Sequence, residues 1–186
     1  MSYYMLGCFG PLDQDSTEIH RIPKLDGVSW LKGARISAPV PRPIRLYLDP
    51  EQPGILLPMY YKGVLVFSDA MIAALQGAGV DNLELFEAVL VNPFQGKEHT
   101  DYKVANIVGV IAAADLAKSK HIAYGAPLFD VDFDSLFIDE SKSRGALMFR
   151  LAENITGIVI HEQVKKSLEK AQIPYLNLTL PEKWLG

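Results

Sequence analysis

Between Asp130 and Glu140 the chain places five carboxylates, Asp130, Asp132, Asp134, Asp139 and Glu140, with no basic residue among them. Asp130, Asp132 and Asp134 alternate with Val131 and Phe133. In a strand this spacing puts three carboxylates on one face and the apolar residues on the other. Clustered carboxylate oxygens suit hard cations such as Mg²⁺ and Ca²⁺. The Asp-x-Asp-x-Asp here nevertheless lacks the glycine turn and distal Glu of a calcium loop. A second reading is a negative face for a basic protein partner, where opposite potentials speed encounter and fix register. A third is a solvated strand face whose charges discourage edge pairing.

Other reactive groups are scattered. His20, His99, His121 and His161 lie at wide spacings, so the expectation for each is a surface or capping role. Cys8 needs a positioned base to act as a nucleophile; beside Phe9-Gly10-Pro11 an ordinary thiol in a flexible stretch is expected. The chain has no Gly-rich phosphate loop with Lys-Ser/Thr, no Gly-x-Ser-x-Gly and no His-Glu-x-x-His.

Composition narrows the class. The 186 residues can bury a real core, and 49% hydrophobic with 22% charged residues is globular. A net charge of −4 and a pI near 5.5 argue against a nucleic-acid binder. One cysteine permits no internal disulfide and no Cys-based zinc site. The first residues carry no positive stretch and too short an apolar run for a secretory signal. The longest apolar run, Ile107 to Ala114, has the length of a buried strand and not of a bilayer span. A soluble, cytoplasmic protein is expected.

The elements that must position the carboxylates follow from periodicity. Residues 39–58 hold six of the twelve prolines, which predicts an extended, turn-rich arm with at most an edge strand at Ile44 to Leu48. Val64 to Phe67 reads as a strand, and Ser68 as the N-cap of a helix carrying Ile72 and Leu75 on one face. Leu83 to Val91 and Tyr102 to Ile111 read as an antiparallel pair. Ala112 to Ser119 either continues as strand or turns into a short helix, which its alanines and lysines favour. Met148/Arg150 and Phe149/Leu151 alternate in a strand, Ile158 to Ile160 forms the next, and a helix over 162–171 is followed by a strand at Tyr175 to Leu180.

Two of these units match without a gap. Val66 falls on Val159, Asp69 on Glu162, Leu75 on Leu168, Ala78 on Ala171 and Leu85 on Leu178. Residues 64–85 and 157–178 are therefore expected to share one strand–helix–strand arrangement. The fold class that results is α+β: a mixed, largely antiparallel sheet with two such units. Residues 1–58 form an extended arm packed on a main domain of residues 59–186.

The order Met148-Phe149-Arg150-Leu151, Ile158-Val159-Ile160, then Glu162-Gln163-Val164-Lys165-Lys166-Ser167-Leu168 resembles a bacterial immunity-protein family of polymorphic toxin systems. The strand Tyr102-Lys103-Val104-Ala105-Asn106-Ile107 and the helix entry Phe67-Ser68-Asp69 are similar to that family too. The likeness spans about residues 60–180; His161 stands where the family more often has serine, and the first sixty residues match nothing in it. The resemblance implies a non-enzymatic protein that neutralises a cognate toxin by occluding its active site. It brings no catalytic residue, metal or cofactor, and no nucleic-acid or membrane partner. The five carboxylates are then the candidate partner-binding residues. The alternatives are a metal-dependent hydrolase using Asp130, Asp132 or Asp134 with a distant His, and an adaptor that loads an effector for secretion.

Overall fold

The structure, a computed structural model, describes residues 2–125 and 130–186. Among these the strands and helices are, in chain order, β1 (Tyr3–Cys8), β2 (Ile19–Arg21), β3 (Ile44–Leu48), β4 (Met59–Tyr60), β5 (Leu65–Ser68), α1 (Asp69–Gly77), β6 (Leu83–Asn92) and β7 (Lys97–Ile107). They continue with β8 (Val110–Ile111), β9 (Lys120–Ala123), β10 (Val131–Ser135), α2 (Glu140–Ser143), β11 (Met148–Leu151), β12 (Ile158–His161), α3 (Glu162–Lys170) and β13 (Leu176–Thr179). A 3-10 turn, Pro181–Lys183, follows. The strands build a six-stranded sheet β2-β3-β6-β7-β5-β4, a five-stranded sheet β13-β1-β12-β11-β8 and a ribbon β9-β10. Within them only β3–β6 and β8–β11 run parallel, so the fold is α+β with mixed, mostly antiparallel sheets.

Two units of the chain have one geometry. In the first, β5 and β6 both pair antiparallel with β7, which lies between them; in the second, β12 and β13 flank β1 in the same way. The registers coincide residue by residue. Val104 sits between Val66 and Phe86, and Met5 sits between Val159 and Thr179, the positions that match in the ungapped alignment. The middle strand of the first unit follows it in the chain, whereas the second unit takes its middle strand from residues 3–8.

Helix ends repeat as well. Ser68 caps α1 by accepting from the Met71 amide, and His161 caps α3 by accepting at Nδ1 from the Gln163 amide. At the other end the Val80 amide donates to the Leu75 carbonyl (3.1 Å), and Ile173 to Leu168 (3.3 Å). This closure needs a left-handed residue just past the helix. Gly79 supplies it at φ +93°, and Gln172, its counterpart, at φ +53°. The two helices meet antiparallel, with the Gln163 amide donating to Ala78 O and the Ser167 hydroxyl to Ala74 O, each at 2.7 Å. Leu75 and Leu168 are both fully buried in the larger core, which draws on both sheets. A second core, on the other face of the five-stranded sheet, joins Tyr3, Met5, Phe149 and Val159 to Val131 and Phe133 of the ribbon.

Several expectations change. Residues 1–58 enter both sheets, with β1 mid-sheet and β3 flanked by β2 and β6, so Ile44–Leu48 is not an edge strand. Cys8 is not in a flexible stretch; it is buried in β1, and desolvation pushes its thiol up to about 11. Residues 112–119 form no helix, because their backbone is already engaged. Asp139 N donates to Ala113 O, Asp115 N to Phe137 O and Ala114 N to the Glu153 carboxylate, leaving one turn at 115–118. All four residues of β11 are buried, Arg150 included, so its alternation separates two covered faces and not an inside from an outside.

Candidate partner-binding face

The ribbon β9-β10 carries the acidic segment. Buried Val131 and Phe133 anchor it to the five-stranded sheet, so Asp132 and Asp134, which alternate with them, must point outward, and both are exposed. Asp130, also exposed, precedes them at a bridge to Asn154. The alternation expected from the sequence is therefore the one the fold adopts.

Their surroundings divide the carboxylates. Lys120 of the paired strand holds Asp134 at 2.9 Å, and the Tyr124 hydroxyl donates to Asp132 at 3.1 Å. That hydrogen bond raises the Tyr124 pKa, since the nearby carboxylate disfavours a phenolate. Asp139 stands apart as the N-cap of α2: it accepts from the Ser141 amide at 3.1 Å and hydroxyl at 2.6 Å, which lowers its pKa. Glu140 is exposed in the first turn of the same helix. Asp130, Asp132 and Asp134 thus share the ribbon, while Asp139 has a local structural task and Glu140 lies beside it.

Two apolar side chains join this face that the acidic pattern alone does not reveal. Ile122 and Tyr124, across the ribbon from the aspartates, are 59% and 58% exposed. Ile122 is the register partner of Asp132. Their signal in the sequence is the β-prone Ile122-Ala123-Tyr124 run before Gly125. Ala126, Pro127, Leu128 and Phe129, which precede the aspartates in the sequence, lie outside the described residues.

The histidines do not converge here. His161 caps α3, His20 lies 3.6 Å from Asp49, and only His121, packed on Phe133, belongs to the ribbon. Among the described residues no three His, Cys, Asp or Glu side chains gather where they could hold a metal ion. No helix among them is long and apolar enough to cross a membrane. A scan of protein-family models finds no match to this chain, and no curated protein matches it.

Proposed function

We propose that the chain is an immunity protein: a non-enzymatic binding module that neutralises a cognate bacterial toxin in the cytoplasm by covering the toxin's active site. The observation that carries this reading is the ribbon face, where Asp130, Asp132 and Asp134 surround exposed Ile122 and Tyr124. Interfaces concentrate energy in a few aromatic and aliphatic anchors ringed by polar groups. Carboxylates at the rim suit a toxin with a basic substrate cleft, where they stand in for the phosphates of its substrate. A standard interface buries roughly 1,200–2,000 Å², so the ribbon would be the centre of a wider patch. The order of strand and helix motifs in residues 60–180 supports the same reading through its family resemblance.

The test is titration calorimetry against the toxin encoded beside this chain. Asp130→Lys with Asp132→Lys should weaken binding by about 2 kcal/mol or more, and slow association most at low salt. Asp134 is left in place, because its partner Lys120 would otherwise face a second lysine. Wild-type affinity in the double variant would exclude this face.

A further inference from the structure

The six- and five-stranded sheets leave a crevice between them, with a volume of about 610 Å³. Its walls include Cys8, Ile19, Met59, Tyr60 and Ile158, all buried, and Arg150 of β11. A second chamber of about 380 Å³ shares Phe9, Met59, Tyr61, Thr156 and Ile158 with the first. Volumes of roughly 300–1,000 Å³ with mainly apolar walls are those of small-molecule sites.

Arg150 gives this crevice its chemistry. The residue is 2% exposed, among the largest fully enclosed side chains of the protein. A guanidinium has five N–H donors and stays charged. Here it meets two backbone carbonyls, Ile155 O at 2.9 Å and Trp30 O at 3.4 Å, while Nε finds no partner. No carboxylate pairs with it among the described residues, and burial alone pulls its pKa down to about 10. A buried cation without an anion is costly, and such charges are ordinarily paired. The one carboxylate in the wall, Glu18, is engaged by Lys62 at 2.9 Å toward the solvent side.

We propose that this crevice binds a small amphipathic monocarboxylate, its head paired with Arg150 and its apolar body lying along Phe9, Leu31 and Tyr61. One guanidinium matches one negative charge, since the other cation of the wall, Lys62, is already neutralised by Glu18. Arginine is suited to this pairing by its planar fork. The site lies apart from the acidic ribbon, so it is independent of the toxin-binding reading.

The experiment is calorimetric titration of the full chain with decanoate and, as the uncharged counterpart, decanol. The wild type should bind decanoate at least about tenfold more tightly than decanol, the scale of one charged hydrogen-bonded contact. Arg150→Gln should erase that preference while leaving decanol binding unchanged. Leu31→Trp, which fills the chamber from a loop, should weaken both ligands, with circular dichroism confirming the fold. If Arg150→Gln does not fold, Arg150→Lys is read instead, and should bind decanoate more weakly with decanol unaffected. Absence of decanoate binding to the wild type, equal affinity for the two probes, or undiminished decanoate affinity in the folded Arg150 variant would overturn the proposal. Arg150 would then be only a clamp joining the Trp30 loop to the turn after β11.

Discussion

Tyr3 and Tyr102 hold the same place in the two repeats. Each lies in a middle strand, each lies opposite the residue that caps a helix (His161 and Ser68), and each is buried. The Tyr102 hydroxyl donates to Leu57 O at 3.0 Å, just ahead of β4, and the Tyr3 hydroxyl to Ala146 O at 3.1 Å, just ahead of β11. Tyr3 makes a further bond to Ser143 Oγ at 2.7 Å. Each tyrosine thereby ties the middle strand to the entry of the neighbouring hairpin.

Tyr102→Phe and Tyr3→Phe should each destabilise the protein by about 1–3 kcal/mol, since the first strips a buried carbonyl of a donor and the second breaks the buried bond to Ser143 Oγ. Urea denaturation followed by far-UV circular dichroism measures both. A change near zero in either would mean that its partner finds water.

Leu75→Ala and Leu168→Ala should cost on the order of 2–5 kcal/mol each, through lost burial and a residual cavity. Both side chains are fully enclosed at matching helix positions. The two helices touch through Ser167 and Ala74, so the double variant should depart from the sum of the singles. Strict additivity in denaturant unfolding would show that the two halves of the core respond separately.

The helix ends differ in one respect that can be improved. Gln172 adopts a left-handed conformation that a side chain disfavours by roughly 1–2 kcal/mol. Gln172→Gly should therefore stabilise the protein, by about 0.5–1 kcal/mol after the greater freedom of unfolded glycine is counted. Gly79→Ala should destabilise it for the converse reason, its φ being +93°. Thermal melts of the two variants should shift in opposite directions.

Glu153 makes stability depend on pH. It is buried, one oxygen accepts from the Ala114 amide at 3.2 Å, and the other has no partner among the described residues. Desolvation raises its pKa, so the folded chain holds this proton at pH values where the unfolded chain has released it. Its contribution is intact below the ordinary carboxylate pKa and is lost as pH rises toward the raised one. Glu153→Gln keeps an acceptor for Ala114 and removes the charge. The variant should gain stability relative to wild type as pH climbs from about 4 to 8, measured by urea midpoints. A constant difference across that range would mean that Glu153 ionises normally.

Both strand–helix–strand units were legible because each carries its own periodicity and its own cap. The alternation of Asp130, Asp132 and Asp134 was legible for the same local reason. What escaped depends on distant pairing. Nothing in Tyr3–Cys8 announces that its two neighbours lie beyond residue 157, and six residues are too few to show which sheet they join. Alternation places Arg150 on the strand face of Met148 but cannot show that it is buried, because its carbonyl partners belong to the 30s loop and to the turn after β11. On the ribbon, Lys120 and Tyr124 meet Asp134 and Asp132 only once β9 and β10 have paired.

The order in which the strands are synthesised gives β1 a rival. It leaves the ribosome about 150 residues ahead of His161, its partner, and translation proceeds at roughly 5–20 residues per second. During that wait β5 and β6 are completed before β7 exists. The slot between them is built to the same register that β1 fits, so β1 is the first strand able to occupy it. β7 is nonetheless the better match to that slot in length and chemistry: it runs eleven residues against six. Asn106, where β1 has Gly7, donates to both Glu84 and Ala34 O. The second unit therefore closes only once β12 and β13 have been made, when β1 gains both of its native neighbours.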